Sequence, residues 1–183
     1  MAASERVGVR PAQVADVPEI ARIQLATWSI AYGRFLPQTV LARFTIEDGI
    51  AQWTAAVTEP PTPMHRVLVA YEHETAVGFV AFGPSDDEDS RDDTGTIVTM
   101  LVEPRWGRRG HGSRMLAAAT DLLREDGLTH LTAWVYDRDP ASREFYVSAG
   151  WETDGVARIL DADSVEIREV RLHTDLPAEP TDI

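Results

Sequence analysis

The chain has 183 residues, of which 44% are hydrophobic, and these values predict one globular domain with enough apolar side chains for its own core. It contains no cysteine, which excludes disulfides, thiolate catalysis and cysteine metal sites. The formal net charge of −13 argues against nucleic-acid partners, because phosphate backbones favour basic surfaces. The acidity would suit a cationic partner, and it would equally serve solubility alone. With no signal-peptide pattern and no membrane-length apolar stretch, the expectation is a cytoplasmic protein without a membrane partner.

The N-terminal third predicts a strand followed by two helical zones. Residues 7–10 read VGVR and predict a short opening strand. Asp16 predicts the N-cap of the first helix, and Glu19 stands in the capping-box position three residues later. A second helical zone is expected from about residue 37 to residue 57. The chain therefore begins with helices that can cover one face of a sheet.

The middle of the chain predicts a hairpin and then an unusually acidic connection. Residues 67–71 and 76–82 alternate in the way expected of two paired strands. Residues 85–93, SDDEDSRDD, are called the acidic loop here; they hold six acids and one arginine. Such a density of like charge predicts a mobile loop that is too charged to pack.

Residues 102–113, VEPRWGRRGHGS, join an apolar run at residues 97–102 to the start of an amphipathic helix. The segment Gly107 to Gly112, called the glycine turn here, combines three glycines with two arginines. Glycines let backbone N–H groups approach a ligand closely, and a helix start carries unpaired donors at its positive dipole end. The junction therefore predicts a site for a phosphate or pyrophosphate.

Three glycine patterns compete for this turn. A dinucleotide fingerprint starting at Gly110 needs a small residue where Met115 stands, and a P-loop needs a lysine directly before Ser113. The pattern Gln/Arg-x-x-Gly-x-Gly/Ala, which holds the pyrophosphate of acyl-coenzyme A, matches Gly110 and Gly112 but has Gly107 at its first position. On these letters alone, a ligand site and a plain strand-to-helix turn both stay open.

A second motif follows an apolar strand predicted at residues 131–136. Residues 139–151 read DPASREFYVSAGW. Asp139 is a suitable N-cap, proline follows it, and Gly150 suits the C-terminal stop. A helix of about ten residues is therefore predicted, and it carries Tyr146.

Together the two motifs resemble the GNAT superfamily of acyl-CoA-dependent N-acyltransferases, over roughly residues 5–173. In that family a V-x-P…R-G-x-G-x-G segment opens the central helix, and an N-x-x-A-x-x-F-Y-x-x-x-G-F segment brings a tyrosine near the thioester sulfur. The resemblance implies an α/β fold in one domain, residues 1–174, followed by a flexible tail, residues 175–183. Its sheet would be mixed and mostly antiparallel, with a central parallel splayed strand pair and helices on both faces.

The resemblance also implies an activity and a set of site residues. The activity is transfer of an acetyl group from acetyl-CoA to a primary amine by direct attack in a ternary complex, with Tyr146 as the catalytic acid. A non-catalytic acyl-CoA sensor with the same fold is the alternative. The residues expected to bind acetyl-CoA are Leu101, Val102, Arg108, Arg109, Gly110, His111, Gly112, Ser113, Asp139 and Ser142.

This chain departs from the family pattern at four positions. Gly107 stands where Gln or Arg is usual, and Arg108 stands where glycine is common. Asp139 replaces a frequent Asn but retains the ability to cap the helix. Thr96 occupies the place where some members have a glutamate as general base. That base is therefore not inherited.

The acceptor is expected to be a small-molecule or peptide amine. Trp28 and Tyr32 lie in a stretch that resembles W-x-x-A-Y-x-x-x-L-P, which borders the acceptor pocket in some GNAT subgroups. Glu103, Asp137 and water are the candidates for removing the amine proton. The five histidines show no metal-ligand spacing, so no metal is expected, and a homodimer is possible.

Overall fold

The structure is a computed structural model that describes residues 7–33, 36, 38–162 and 165–177. None of the described helices is long and apolar enough to cross a membrane. The described chain ends as part of the fold, because Leu176 donates its N–H to the Thr129 carbonyl oxygen at 2.7 Å and packs against the core. Residues 178–183 of the predicted tail lie outside the described residues.

Helices and strands follow the predicted order along the chain. The helices are α1 (Val17–Tyr32), α2 (Gln38–Leu41), α3 (Ile46–Thr58), α4 (His111–Glu125) and α5 (Pro140–Ser148). The strands are β1 (Val7–Pro11), β2 (Arg66–Glu72), β3 (Thr75–Pro84), β4 (Thr94–Val102), β5 (His130–Tyr136), β6 (Glu152–Ala162) and β7 (Val165–Asp175).

The strands form one sheet in the order β1-β2-β3-β4-β5-β7-β6. Only β4 and β5 pair in parallel, and the other neighbours are antiparallel. Parallel neighbours need a crossover connection so that the chain can return to the same end of the sheet, and α4 supplies it. The predicted mixed, mostly antiparallel sheet with one central parallel pair is confirmed.

The parallel strands β4 and β5 stay together for only four residue pairs. They pair from Thr94–Ile97 on β4 with His130–Ala133 on β5. A register shift against β3 then leaves Val98 as an extra residue, so β4 carries a β-bulge. A bulge bends its strand, and beyond it β4 continues beside β3 while β5 continues beside β7. A gap therefore opens between β4 and β5.

Each face of the sheet packs against its own helices. Leu68 and Phe82 belong to the core cluster under α4 and α5, whereas the neighbouring Val67 and Phe79 belong to the cluster under α1 and α3. This is the two-residue alternation of a sheet that is buried on both sides. A buried side chain such as Phe79 contributes about 2–3 kcal/mol of transfer free energy. Helices on both faces are confirmed.

The start of α1 differs from the predicted capping box. Asp16 directly precedes the helix as expected, but its side chain makes no cap hydrogen bond there. Its carboxylate accepts from Arg10 at 2.7 and 2.8 Å, and Glu19 pairs with Arg22 instead. The predicted capping box is wrong because a 3₁₀ turn before the helix takes Asp16 into its own hydrogen bonds.

The acidic loop stays largely exposed, but it is anchored to the sheet by an ion pair and a hydrogen bond that the prediction of a loop too charged to pack did not include. Arg171 on β7, whose side chain is only 9% exposed, donates to both carboxylate oxygens of Asp89 at 2.6 Å. Trp134 on β5 donates its indole N–H to Asp87 at 3.1 Å. The prediction fails because an arginine from a strand distant in sequence supplies the countercharge.

Candidate active site

The glycine turn connects the end of β4 to α4 through two left-handed residues. Gly110, the N-cap of α4, has φ +82°, and Arg108 has φ +64°. Glycine adopts this conformation at no steric cost, whereas a residue with a Cβ is strained there. The family's frequent glycine at the position of Arg108 thus has a backbone reason, and this chain accepts the strain to place an arginine there.

The first turn of α4 presents unpaired backbone donors. The first backbone hydrogen bond of the helix runs from the Arg114 N–H to the Gly110 carbonyl oxygen at 3.1 Å. The N–H groups of His111, Gly112 and Ser113 precede it and have no acceptor in the part of the chain that the structure describes. Their alignment with the helix dipole makes this end of α4 suited to an anion.

A cleft of about 510 Å³, called the turn cleft here, lies between the glycine turn and α5. Val102 at the end of β4 forms part of its wall, so the cleft reaches the place where β4 and β5 have separated. Gly112 lets the start of α4 pack closely against α5, because a Cβ at this position would lie 3.3 Å from the Phe145 ring. The other lining residues are Trp106, Gly107, Arg108, Gly110, His111, Ser113, Ala141, Glu144 and Ser148.

A second groove, called the α4 groove here, continues from the turn cleft along the side of α4. It also measures about 510 Å³, and it shares Ser113, Phe145 and Ser148 with the turn cleft. Its remaining lining is apolar, neutral polar or acidic: Leu116, Ala117, Thr120, Asp121, Ala149, Trp151, Thr174, Asp175, Leu176 and Pro177.

The side chains of Arg109 and His111 both contact Glu72 at the end of β2. Glu72 accepts from Arg109 at 3.3 Å and lies 3.1 Å from Nε2 of the buried His111. The Arg109 guanidinium also covers the Trp106 ring at 4.7 Å. Of the two arginines in the turn, Arg108 is the one that lines the cleft. The contacts of Arg109 and His111 with Glu72 stabilise the turn, and their predicted binding to the cofactor stays a prediction.

Asp139 and Ser142 form the N-cap of α5. The Asp139 carboxylate accepts the Ser142 N–H at 3.1 Å and the Ser142 hydroxyl at 2.6 Å. The predicted cap is confirmed. Neither residue is among those that line the turn cleft, so their predicted contact with the cofactor stays a prediction.

Tyr146 lies in the core under the diverging strands. Its ring packs against Phe145 at 5.5 Å and against Trp151 at 4.9 Å, and it shares a core cluster with Val135 of β5. Burial raises the pKa of its phenol above the ordinary value, so the hydroxyl stays protonated at neutral pH. It does not line the turn cleft, so its predicted role as the catalytic acid stays a prediction.

The two candidate general bases, Glu103 and Asp137, form ion pairs with arginines. Burial by itself would raise the pKa of the Glu103 carboxyl, but hydrogen bonds and charge from Arg22 and Arg105 outweigh it and hold that pKa low. Arg168 and Arg143 likewise lower the pKa of Asp137. A carboxylate with a low pKa is a weak proton acceptor. Neither residue has the environment of a base that works at neutral pH.

Thr96 does not replace the missing glutamate. It is buried on β4, and its hydroxyl donates to the Thr132 carbonyl oxygen at 3.3 Å. A neutral alcohol is too weak a base to take the proton of an amine at neutral pH. Thr96 lies in the segment where β4 and β5 are still paired, before the gap.

The two predicted acceptor residues lie on α1. Trp28 packs edge-on against Phe44 at 4.9 Å. Tyr32 is the last residue of α1, and its side chain lies outside the described residues. Their roles stay predictions. Within the described ranges, no group of three or more His, Asp or Glu side chains is arranged to hold a metal ion.

Sequence reasoning assigned the cleft to the glycine turn and missed the wall that α5 provides. Ala141, Glu144, Phe145 and Ser148 recur at i, i+3, i+4 and i+7, which is one face of a helix. That spacing was readable in the sequence. Tyr146 lies on another face of the same helix.

The fold and the site define a class: an acyltransferase whose parallel strands separate beside a helix N-terminus. The model of the acetyltransferase (GNAT) family matches residues 24–151, and the chain belongs to that family. GNAT enzymes are acyl-CoA-dependent N-acyltransferases, so the resemblance inferred from the two motifs is confirmed.

Relatives span nearly the whole chain. The chain is 28% identical over 167 residues to the uncharacterized N-acetyltransferase YuaI of Bacillus subtilis (strain 168), covering 91% of this chain and 88% of that protein. A GCN5-related N-acetyltransferase from Rhodopseudomonas palustris superposes with a TM-score of 0.72 at 18% identity, covering 96% and 99% of the two chains. YncA from Salmonella typhimurium, solved with its cofactor acetyl-CoA, gives 0.68 at 18% identity and 97% coverage of each chain. These two structural similarities establish the fold.

Proposed function

We propose that this protein transfers the acetyl group of acetyl-CoA to a primary amine of a small molecule or peptide, by direct attack in a ternary complex. The observation that carries the proposal is the set of unpaired N–H groups at His111, Gly112 and Ser113, placed where β4 and β5 have separated. An anion site beside a strand gap suits a ligand that has a pyrophosphate at one end and an amide-containing arm at the other.

The donor chemistry of the site fits coenzyme A. The N–H groups at the start of α4 and the exposed Arg108 would hold the pyrophosphate. Along β4 the backbone N–H and C=O groups of successive residues point alternately toward β3 and toward the gap. The Glu103 N–H donates to the Val77 carbonyl oxygen on β3, so the groups of Leu101 face β3 and those of Val102 face the gap, where they can bind an amide of the pantetheine arm. When bound, the thioester supplies an activated acetyl group, and the chain supplies position and a proton.

Tyr146 is the proposed proton donor to the departing sulfur. Its raised pKa keeps the phenol protonated throughout the neutral range. The amine must be neutral to attack, and its proton must leave. Because Glu103 and Asp137 are held by arginines, we propose that water takes it.

Tyr146→Phe tests the acid role, since it deletes the hydroxyl and keeps the ring that packs against Trp151. We expect kcat for acetyl transfer to fall about 100-fold, with acetyl-CoA affinity and melting temperature nearly unchanged. Tyr71→Phe, on β2, is the matched control and should leave kcat unaltered. Normal turnover in Tyr146→Phe would refute the acid role, and loss of acetyl-CoA binding would make the residue structural.

Thiol release with a panel of small amines, amino acids and peptides with free N-termini separates enzyme from sensor. Turnover with any acceptor class supports the proposed transfer and names the acceptor. Tight acetyl-CoA binding without thiol release across the panel would instead support the non-catalytic sensor.

A further inference from the structure

The two connected clefts offer very little positive charge. Among the described residues that line them, Arg108 is the only arginine, and the one histidine, His111, is buried against Glu72. Glu144 on α5 is an exposed acid in the turn cleft. Asp121 and Asp175 line the α4 groove, where each already has a basic partner, Arg124 at 2.9 Å and His130 at 2.7 Å. Away from the start of α4, the described lining therefore offers the acid Glu144 and no arginine.

The other basic residues around the turn point elsewhere. Arg109 bonds Glu72 and covers Trp106, as described above. Arg114 directs its guanidinium to the Arg109 carbonyl oxygen at 3.0 Å. Arg143 on α5 is paired with Asp137. None of these three lines either cleft.

The direction of the donor decides which charges its far end meets. If the pyrophosphate binds at the start of α4 and the pantetheine arm enters the strand gap beside Val102, the nucleoside must extend the opposite way. That way leads past Ser113 and Phe145, to the α5 wall or into the α4 groove. The dianionic 3′-phosphate of coenzyme A would there meet Glu144, whose like charge repels it, or the α4 groove, whose described lining contains no arginine.

We propose that this protein does not recognise the 3′-phosphate of its donor, so that it accepts dephospho-coenzyme A and its thioesters as well as coenzyme A thioesters. The proposal rests on the proposed function and adds the donor class. The pyrophosphate and the arm provide the binding, and the 3′-phosphate contributes nothing to it. The site therefore selects its donor through the pyrophosphate and the pantetheine arm, which extends toward β4.

Calorimetric titration with coenzyme A and with dephospho-coenzyme A tests this without relying on turnover. In the parent protein we expect the two Kd values to agree within about threefold, with dephospho-coenzyme A the tighter at low salt, because exposed charges are screened at higher ionic strength. Coenzyme A binding more than about tenfold tighter than dephospho-coenzyme A would overturn the proposal. Failure of both compounds to bind would instead refute the proposed function.

Glu144→Arg sharpens the test by converting the acidic wall to a basic one. We expect the variant to favour coenzyme A over dephospho-coenzyme A by about tenfold at low salt, and by less as salt is added. Glu125→Arg makes the same charge change at the far end of α4, about 20 Å from the turn, and should leave the ratio of Kd values as in the parent. An unchanged ratio in Glu144→Arg would show that the 3′-phosphate does not pass this wall and would overturn the argument.

Discussion

Two segments flank β4, and they treat their polar groups in opposite ways. The acidic loop enters the strand with its carboxylates bound by the side chains of Arg171 and Trp134. The glycine turn leaves the strand with its side chains tied to Glu72 and with backbone N–H groups of α4 unpaired. The carboxylates of the loop are paired with side chains of the same protein, whereas the N–H groups at the start of α4 are available to a ligand. Residue composition alone predicted a mobile acidic loop.

The first prediction concerns the arginine that fastens the loop. Arg171→Met should lower the free energy of unfolding by about 3 kcal/mol, because the nearly buried guanidinium makes charge-assisted hydrogen bonds to Asp89 and Asp154 that the variant loses, while Asp87 keeps its bond from Trp134. Acetyl-CoA affinity should be unaffected. Urea unfolding measures the first quantity, and calorimetric titration measures the second.

Arg91→Met is the control, since its pair with Asp93 is exposed and should contribute little to stability. Equal losses of stability in both variants would contradict the special role of Arg171. Weaker acetyl-CoA binding in Arg171→Met would contradict the division of labour between loop and turn.

The second prediction concerns the turn itself. Gly112→Val should weaken acetyl-CoA binding about 30-fold, because its Cβ meets the Phe145 ring at 3.3 Å and its methyl groups hinder approach to the backbone N–H groups. Gly112→Ala adds only the Cβ and should show a smaller loss. Titration of the two variants gives the series, and unchanged affinity in both would remove this turn from the binding site.

The third prediction uses pH. Glu103→Gln should cost about 1–2 kcal/mol of stability at pH 7, because it removes a charge-assisted partner of Arg22. The pKa of Glu103 is lower in the folded protein than in the unfolded chain, where it is about 4.3. The stabilisation is therefore complete above that value and disappears as pH falls through the folded pKa.

Unfolding of the parent and of Glu103→Gln at pH 7 and at pH 3 should show the difference in stability shrink at the lower pH. A difference that is independent of pH would mean that packing, and not the ionised carboxylate, is what the substitution removes.

The smallest expected effect concerns Arg108, where one pair of variants separates the backbone strain of the residue from its contribution to acetyl-CoA binding. Arg108→Gly should raise the free energy of unfolding by about 0.5–1 kcal/mol, because glycine relieves the left-handed φ of +64°. The same change should weaken acetyl-CoA binding several-fold by removing a charge from the cleft. Arg108→Ala loses the charge and keeps the strain, so it should weaken binding without gaining stability. Equal stabilities of the two variants would disprove the strain.

The sequence predicted the elements around the site well because each has a local signal. Asp139 and Gly150 mark the ends of α5 by capping chemistry, and both marks are confirmed. The strand before the glycine turn was recognisable by its β-branched run. The separation of β4 and β5 came only from the family resemblance, since the bulge at Val98 has no local signature.

The features that the sequence did not predict depend on residues far apart in the chain. Arg171 meets Asp89 across more than 80 positions, and Glu72 meets His111 across 39. Such pairs decide whether a loop packs and which arginine of a turn reaches a ligand, and no window of neighbouring residues contains them. The acceptor side shares this difficulty, because residues of α1 and of the sheet would have to be combined to define it.

The gap beside Val98 gives this protein an unpaired strand edge in the interior of a sheet. At the border of a sheet, such an edge can pair with the edge of another molecule and begin aggregation. Here the edge of β4 faces β5, and the two strands are joined over four residue pairs at one end, so the opening is a wedge within one molecule. A folded neighbour cannot reach into that wedge, whereas a single thin chain bearing amide groups can. The unpaired edge of β4 can therefore form backbone hydrogen bonds with a narrow ligand but cannot pair with a strand of another protein.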